Sequence, residues 1–500
     1  MSGPFDHDVL VVGLGPTGAA LSALLARTGL RVLAIDRDTA VYPLPRAVHF
    51  DHEIMRLFQQ LGVADAVLEH ARPVPTYEFR SAGGELLLEL PPAAQTPSDW
   101  GSGYMFHQPS FETAIRAVLD AAPTVTVQLG CRLLGFDQDA DGATARLSGP
   151  DGERAVRVRY LVGCDGASSR VRDAIGGGLF DYGFDEPWLV VDARLTPGSR
   201  LPEVNLQVCD PARPTTCVQG GLGRHRWEFM ILPGETPESL LDDTVIRGLI
   251  APWNCGPVEI ERKAVYRFHG LVANRWRSGR ALIAGDAAHQ TPPFAGQGMC
   301  AGLRDAANLA WKLAAVIGGD AAETLLDTYQ AEREPHARSA IELAIGMGRM
   351  VCTLDPEAAA RRDAGMLAAR AAGAPALPPM QPAPFAAGCV LAGSPAAGAM
   401  FPQPGVEDGH RRLRLDDVLG DGAWLFTTAP TEATAPGVRI LPIEADDLIL
   451  FRDQLQAWLD RTGVTAVLVR PDRYVFGAGE PDLLLQRWRE ALDAPDRAEA

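Results

Sequence analysis

Residues 8–36 leave this chain little choice in how it begins to fold. Val9 to Val12 is an unbroken apolar run that meets Gly13-x-Gly15-x-x-Gly18. A strand apolar on both faces is buried on both faces, as in a parallel sheet covered by helices. Ala19 to Thr28 follows as an Ala/Leu-rich helix, and Leu30 to Ile35 returns as a second strand, so the segment reads as a strand–helix–strand crossover. Gly13 permits the tight turn, Gly15 lets backbone approach a pyrophosphate, and Gly18 lets helix and strand pack closely. The helix N-terminus offers unpaired N–H groups and the positive end of its dipole to phosphates. Asp36, with Arg37 beside it, ends the second strand, where an acid accepts hydrogen bonds from a ribose diol. The glycine spacing alone arises by chance. With strand, helix and acid in register it reads as a dinucleotide site.

The chain does not then complete a contiguous second half, as a nicotinamide enzyme normally would. Between Trp188 and Tyr266 it turns to short alternating segments, such as Leu189 to Leu195 and Arg226 to Leu232, which read as antiparallel strands with one face on a core. The α/β texture resumes at Ala281 and runs into helical stretches over 302–317 and 323–347. That departure and return favour FAD as a resident cofactor. Residues 363–398 are dense in Ala, Pro and Gly and read as a linker. Strand candidates at 422–426, 438–443 and 465–470, with helices at 448–461 and 483–492, form a further α/β unit.

Composition narrows the partners. A net charge of −17 repels phosphate backbones and anionic lipid, which argues against nucleic acid and membrane surfaces. No run approaches the ~20 apolar residues of a bilayer span, and the N-terminus lacks a signal-peptide pattern, so a cytoplasmic protein is expected. The eight cysteines are scattered, with no Cys-x-x-Cys pair and no clustered ligands, so neither disulfides nor a metal is implied.

Two later segments carry further chemistry. Val162-Gly163-Cys164-Asp165-Gly166 ends an apolar strand in an Asp-Gly turn leading to Arg170 and Arg172. A strand terminus with a polar helix cap would look the same. Ala284-Gly285-Asp286 is delivered by a strand to a loop running through Pro292, Pro293, Gly296 and Gly298. Proline stiffens such a loop and glycine lets backbone approach a planar ring.

Together with Pro45-Arg46-Ala47, Phe106-His107-Gln108-Pro109, Trp188 to Asp192, Cys209 to Pro214, Arg304 to Lys312 and Val469 to Tyr474, these segments resemble the FAD-dependent aromatic hydroxylases, single-component flavoprotein monooxygenases, over nearly the whole chain. Within that family the nearest resemblance is to the hydroxylases of 3-(3-hydroxyphenyl)propionate. The implied fold class is α/β, or α+β across several domains. A discontinuous Rossmann-like FAD-binding domain (1–75, 100–180, 275–350) carries an antiparallel-sheet substrate domain (76–99, 181–274). A linker or helical crossing (351–389) leads to a thioredoxin-like C-terminal domain (390–500). With no cysteine after Cys389, that last domain is excluded from thiol redox chemistry.

The resemblance assigns Asp286 and Gln108 to the ribityl chain, Asp165 to the pyrophosphate and nicotinamide access, and Arg46 to the pyrophosphate or adenosine. It sets Pro293 by the flavin ring and aims the N–H groups of Gly298 and Met299 at the N1/O2 edge. Asp36 departs from the glutamate more usual there, yet still reaches a ribose. The implied reaction consumes NADH or NADPH and O2 and hydroxylates a phenolic aromatic, such as a 3-(3-hydroxyphenyl)propionate-like acid, through a flavin C4a-hydroperoxide. His49 and His269 are the candidate catalytic bases on the substrate side, and Arg213 and Arg226 the candidate partners of a substrate carboxylate. The expected partners are a small aromatic substrate and, as one assembly, a homodimer. Three alternatives stay open: a tailoring hydroxylase of a larger polyketide-type aromatic, a flavin oxidase or reductase that inserts no oxygen, and a non-enzymatic module on a degenerate flavin fold.

Overall fold

The strand His7–Val12 pairs in parallel on both sides, with Gly152–Gly163 on one flank and Val32–Asp36 on the other. The computed structural model describes residues 5–373, 382–409 and 411–493. Gly152–Gly163 pairs in turn with Ala281–Ile283, and Val32–Asp36 with Val125–Leu129, all parallel. Val9, Leu10 and Val11 are fully buried, as an unbroken apolar run requires. The consequence is positional. Strands that enter the sheet at residues 7, 152 and 281 lie side by side and end at one edge, the carboxyl edge where open α/β sheets bind ligands.

Helix Pro16–Arg27 crosses back over this sheet and packs on the long helix Gly298–Gly318. Gly18 makes the crossover close, since a Cβ there would lie 1.9 Å from the Gly13 carbonyl oxygen. Gly13 itself sits at φ +97°, with the Cys164 carbonyl where a Cβ would go.

The second large sheet is built around two long strands, Leu179–Leu195 and Val258–Ala273. From Leu179–Leu195 it continues through Arg224–Met230, Thr215–Gln219 and Asn205–Cys209. It then recruits Tyr77–Ser81 in parallel and Leu86–Leu90, from much earlier in the chain. Trp188 and Trp227 are fully buried on it.

The segment after the long helix pair is more regular than its composition suggests. Helix Thr328–Val351 is followed by a second helix, Pro356–Ala371, which Asp355 caps by accepting a hydrogen bond from the Ala358 N–H. Alanine drives helix formation there into the first part of the expected linker, whose prolines Pro375, Pro378 and Pro379 lie outside the described residues. A final mixed sheet runs in the order Val438–Pro442, Ala423–Thr427, Ala466–Val469, Val475–Gly479, and helix Pro481–Asp493 packs on it. A hairpin, Gly405–Asp408 with Arg411–Arg414, precedes it and has no counterpart in the sequence reading. No helix among the described residues is long and apolar enough to cross a membrane.

Candidate active site

The three parallel strand ends open into one cavity of about 1170 Å³. A single small-molecule site takes ~300–1,000 Å³, so there is room for a dinucleotide and a second molecule. Gly13, Gly15, Asp36, Arg37, Arg46, Gln108, Asp165, Asp286, Pro293, Gly298, Met299 and His49 all line it. Gly18 stands behind the wall as the packing glycine. Residues separated by nearly three hundred positions thus meet around one volume.

At the nucleotide end, Asp36 accepts hydrogen bonds from the Leu14 N–H at 2.7 Å and the Asp38 N–H at 2.9 Å, which fixes the glycine turn. Gly15 faces open space: beyond its chain neighbours, the only atom among the described residues within 4 Å of a Cβ built there is the Arg46 Nη2, at 3.8 Å. No side chain caps the helix it begins. Asp165 accepts from the Arg170 N–H at 2.8 Å and from Ser169, so its carboxylate both faces the cavity and holds the start of the short helix Arg170–Ile175.

Asp286 has a different character. Protein surrounds it, yet its side chain is accessible, because the surface it exposes belongs to the cavity. Its carboxylate has no hydrogen-bond partner among the described residues. Burial raises its pKa, while His289 and Arg46 pull the other way. Its backbone is held rigidly. Asp305, fully buried, accepts from Gly285 N–H at 3.1 Å, pairs with His289 at 2.6 Å and takes Arg333 Nε at 2.9 Å. The result is a preorganised, unsatisfied acceptor, as a polyol requires.

Past Asp286, Gly296 turns the chain in the left-handed region at φ +62° and the long helix starts at Gly298 with no side-chain cap. Free N–H groups and the positive end of a 21-residue helix therefore point into the cavity. Arg304 braces this terminus from within. It donates to Asp51 and Glu53, both at 2.6 Å, and reaches back to Gln297 at 3.2 Å. Burial would raise the Asp51 carboxyl; the Arg304 charge overrides it and holds it far below the usual range.

The two candidate histidines part company. His49 is in the cavity wall, its Nδ1 3.4 Å from the Gly296 carbonyl oxygen, and burial lowers its pKa so that the ring is neutral at pH 7. His269 is half-exposed on strand Val258–Ala273, opposite Asp185 at 3.6 Å, and does not reach the cavity. The candidate arginines are also spoken for. Arg213 pairs with Glu235 away from the cavity. Arg226 lines it but forms a two-point pair with Asp192 at 2.7 and 3.0 Å. Its remaining donors go to the carbonyls of Pro45 and Arg46, so it pins the Pro45-Arg46 loop instead of facing a ligand. Gln108 lines the cavity with its amide engaged: Oε1 accepts from the Arg46 and Ala47 N–H groups at 3.1 and 2.6 Å, and Nε2 donates to Glu112.

Sequence reading overlooked one wall altogether. Tyr77, Gln207, Thr216 and Glu228 face the cavity from four neighbouring strands. Thr216 donates to Gln207 at 2.8 Å, and Gln207 to the Tyr77 hydroxyl. A signal was available: three charged residues, Arg224, Arg226 and Glu228, stand at alternate positions of one strand.

The FAD-binding-domain family model matches residues 6–344. A probable NADH-specific resorcinol 4-hydroxylase of Rhodococcus jostii is 38% identical over 490 residues, covering 94% of this chain and 91% of the relative. The chain belongs to the FAD-dependent aromatic hydroxylases. A 3-(3-hydroxyphenyl)propionate/3-hydroxycinnamic acid hydroxylase of Mycolicibacterium smegmatis is 35% identical, covering 96% of this chain and 91% of the relative. Among solved structures, aklavinone-11 hydroxylase with FAD and aklavinone superposes at a TM-score of 0.80, with 27% identity, over 98% of this chain and all of that one. This enzyme therefore takes FAD. The open face of Gly15, the unpartnered Asp286 and the uncapped helix at Gly298 suit a pyrophosphate, a polyol and an electron-rich ring edge respectively.

Proposed function

We propose that the enzyme is an NAD(P)H-consuming monooxygenase that places one oxygen atom on the ring of a phenol. One observation carries this reading: the nucleotide-type end and a polar-lined second space belong to a single continuous volume. Bound FAD supplies hydride acceptance from NADH or NADPH and activation of O2. NADH is preferred in this reading because the Rhodococcus relative is named for it.

The chain's own residues bind, orient and exclude water. Gly15 and the helix N-terminus at Pro16 receive the pyrophosphate, with Asp36, Arg37 and Arg46 on the adenosine side and Asp165 beside them. Asp286 accepts hydrogen bonds from the ribityl hydroxyls, while Gln108 sets the backbone of Arg46 and Ala47. The N–H groups of Gly298 and Met299 stabilise negative charge at the ring edge. Pro293 and Phe294 close the wall. Trp188 at 5.6 Å and Phe184 and Phe268 at 5.9 Å hold Phe294 in place, which keeps water from the reacting ring. Of the two candidate histidines, His49 has the position for a substrate-side role.

We divide the chain as the sequence suggests, into a FAD-binding domain, a substrate sheet and a C-terminal unit. The strand order of the last, which follows the final cysteine, Cys389, supports a thioredoxin-like unit that is structural and not redox-active. Eight free thiols support work in the cytoplasm, and a homodimer, tested by light scattering, belongs to the same proposal.

The test is a panel of phenols, including a polycyclic one, scored for stimulation of NADH and NADPH oxidation and for product mass. A monocyclic phenol should stimulate consumption and gain the mass of one oxygen atom. Consumption without any such gain would make the enzyme an oxidase. Preference for the polycycle would make it a tailoring hydroxylase.

A further inference from the structure

The substrates named for the two kinds of relative differ at one position meta to a shared ring hydroxyl: one bears a propionate chain with its carboxylate, and resorcinol bears a second hydroxyl. The cavity wall bears on that difference. Glu228, Thr216 and Gln207 stand in register across three adjacent strands, with Thr216 opposite both Glu228 and Gln207. Glu228 is 6% exposed, and the surface it exposes faces the cavity. Its carboxyl accepts no hydrogen bond among the described residues. The nearest cation, Arg226, is 3.8 Å away and already held by Asp192. A buried, unsatisfied carboxyl beside a threonine and a glutamine is a receptor for a hydroxyl group.

The cations complete the argument. Arg304 is committed to Asp51 and Glu53, and Arg262 to Asp192 and the Pro45 carbonyl. The other cavity-lining arginines gather at the nucleotide end: Arg46 by Gly15, Arg116 on the Leu14 carbonyl, Arg37 next to Asp36, Arg132 next to Cys131, whose N–H donates to the Asp36 carbonyl, and Arg170 next to the Asp165 turn. Beside the sheet, no uncommitted cation among the described residues can receive a substrate carboxylate, and Glu228 would repel one.

We propose, resting on the hydroxylase reading, that the substrate is a neutral phenol of the dihydroxybenzene class, and that Glu228 sets this specificity by receiving a ring hydroxyl and turning carboxylates away. Burial, only partly opposed by Arg226, raises the pKa of this carboxyl above that of a free glutamate.

The experiment uses the FAD-loaded full chain with two probes, resorcinol and 3-(3-hydroxyphenyl)propionate. It measures kcat/KM for oxygenated product and, separately, Kd from the change in the flavin visible spectrum on titration. The wild-type protein should favour resorcinol at least 100-fold by both measures. Glu228→Gln should weaken resorcinol binding about ten-fold and shrink the preference, because the neutral amide no longer repels a carboxylate. Equal or better use of the propionate by the wild-type protein overturns the inference and leaves the hydroxylase reading standing, and that comparison needs no variant. An unmoved preference in a folded Glu228→Gln protein overturns the role of Glu228. If resorcinol binds in the predicted Glu228-dependent way but neither probe is oxygenated, the specificity stands and the hydroxylase reading falls.

Discussion

Tyr474 donates its hydroxyl to Glu53 Oε1 at 2.6 Å, across 421 positions of sequence. Glu53 uses its other oxygen to hold Arg304, which braces the start of helix Gly298–Gly318. The C-terminal unit is thus tied to the wall of the cavity through one carboxylate. Tyr474→Phe removes a hydrogen bond to a charged acceptor, worth about 1.5–3 kcal/mol when buried. The melting temperature of the FAD-loaded protein should fall accordingly. An unchanged value would mean that the C-terminal unit does not brace the site.

The two glycines that the motif treats alike should behave differently. Gly18→Ala forces a Cβ to 1.9 Å from the Gly13 carbonyl oxygen, so it should destabilise the fold whether or not flavin is present. Gly15 has φ −67° and open space before it, so Gly15→Ala should fold normally. Its added methyl stands where pyrophosphate must approach, and flavin affinity should drop roughly ten-fold or more, ~1.4 kcal/mol. Flavin titration and thermal melts of the flavin-free variants separate the two effects.

Asp286→Asn should trade binding for stability. Burial raises the carboxyl above its ordinary pKa, so the flavin-free folded state bears a cost above that raised pKa, relieved as pH falls through it. Asparagine removes the cost. Flavin-free Asp286→Asn should melt higher than wild type at pH 7, with the gap closing on acidification. FAD should bind it some ten- to a hundred-fold more weakly, as loss of charge-assisted bonds of about 1.5–3 kcal/mol implies. A variant that melts lower at pH 7 and binds flavin normally contradicts both parts.

Glu332 is fully buried between Arg470 at 2.7 Å and Lys312 at 2.9 Å, where the C-terminal unit meets the helix pair. Burial would raise its carboxyl, but these two charges override it and leave it at about 2. A lowered folded-state pKa means stabilisation that is present above the ordinary value of 4.5 and lost as pH falls toward 2. Glu332→Gln should cost about 3–5 kcal/mol at pH 7, as breaking a buried pair does. Its deficit against wild type should narrow below pH 4.5 in denaturant melts. A deficit constant with pH would place the effect in packing instead.

The sequence made some of this legible and hid the rest, for physical reasons. Local signals were enough for the opening crossover, because Val9 to Gly18 carries its own strand, turn and close-packing requirements. They also sufficed for the loop after Asp286, where proline and glycine fix backbone shape. The convergence of these stretches follows from parallel pairing of the strands that end at Val12, Gly163 and Ile283. The Glu228 wall was hidden because its face depends on pairing with Tyr77–Ser81, recruited from more than a hundred residues away. His269 and Arg226 could be placed near the site by sequence but not aimed: one faces Asp185 outside the cavity, and the other is taken by Asp192. The helix at Pro356–Ala371 shows alanine content outweighing a Pro-rich neighbourhood.

The most direct measurement is the fate of molecular oxygen. FAD-loaded protein is supplied with NADH, resorcinol and isotopically heavy O2, and the product is weighed. One heavy oxygen atom should appear on the ring for each NADH consumed. Heavy hydrogen peroxide with an unlabelled, unaltered phenol would contradict the account.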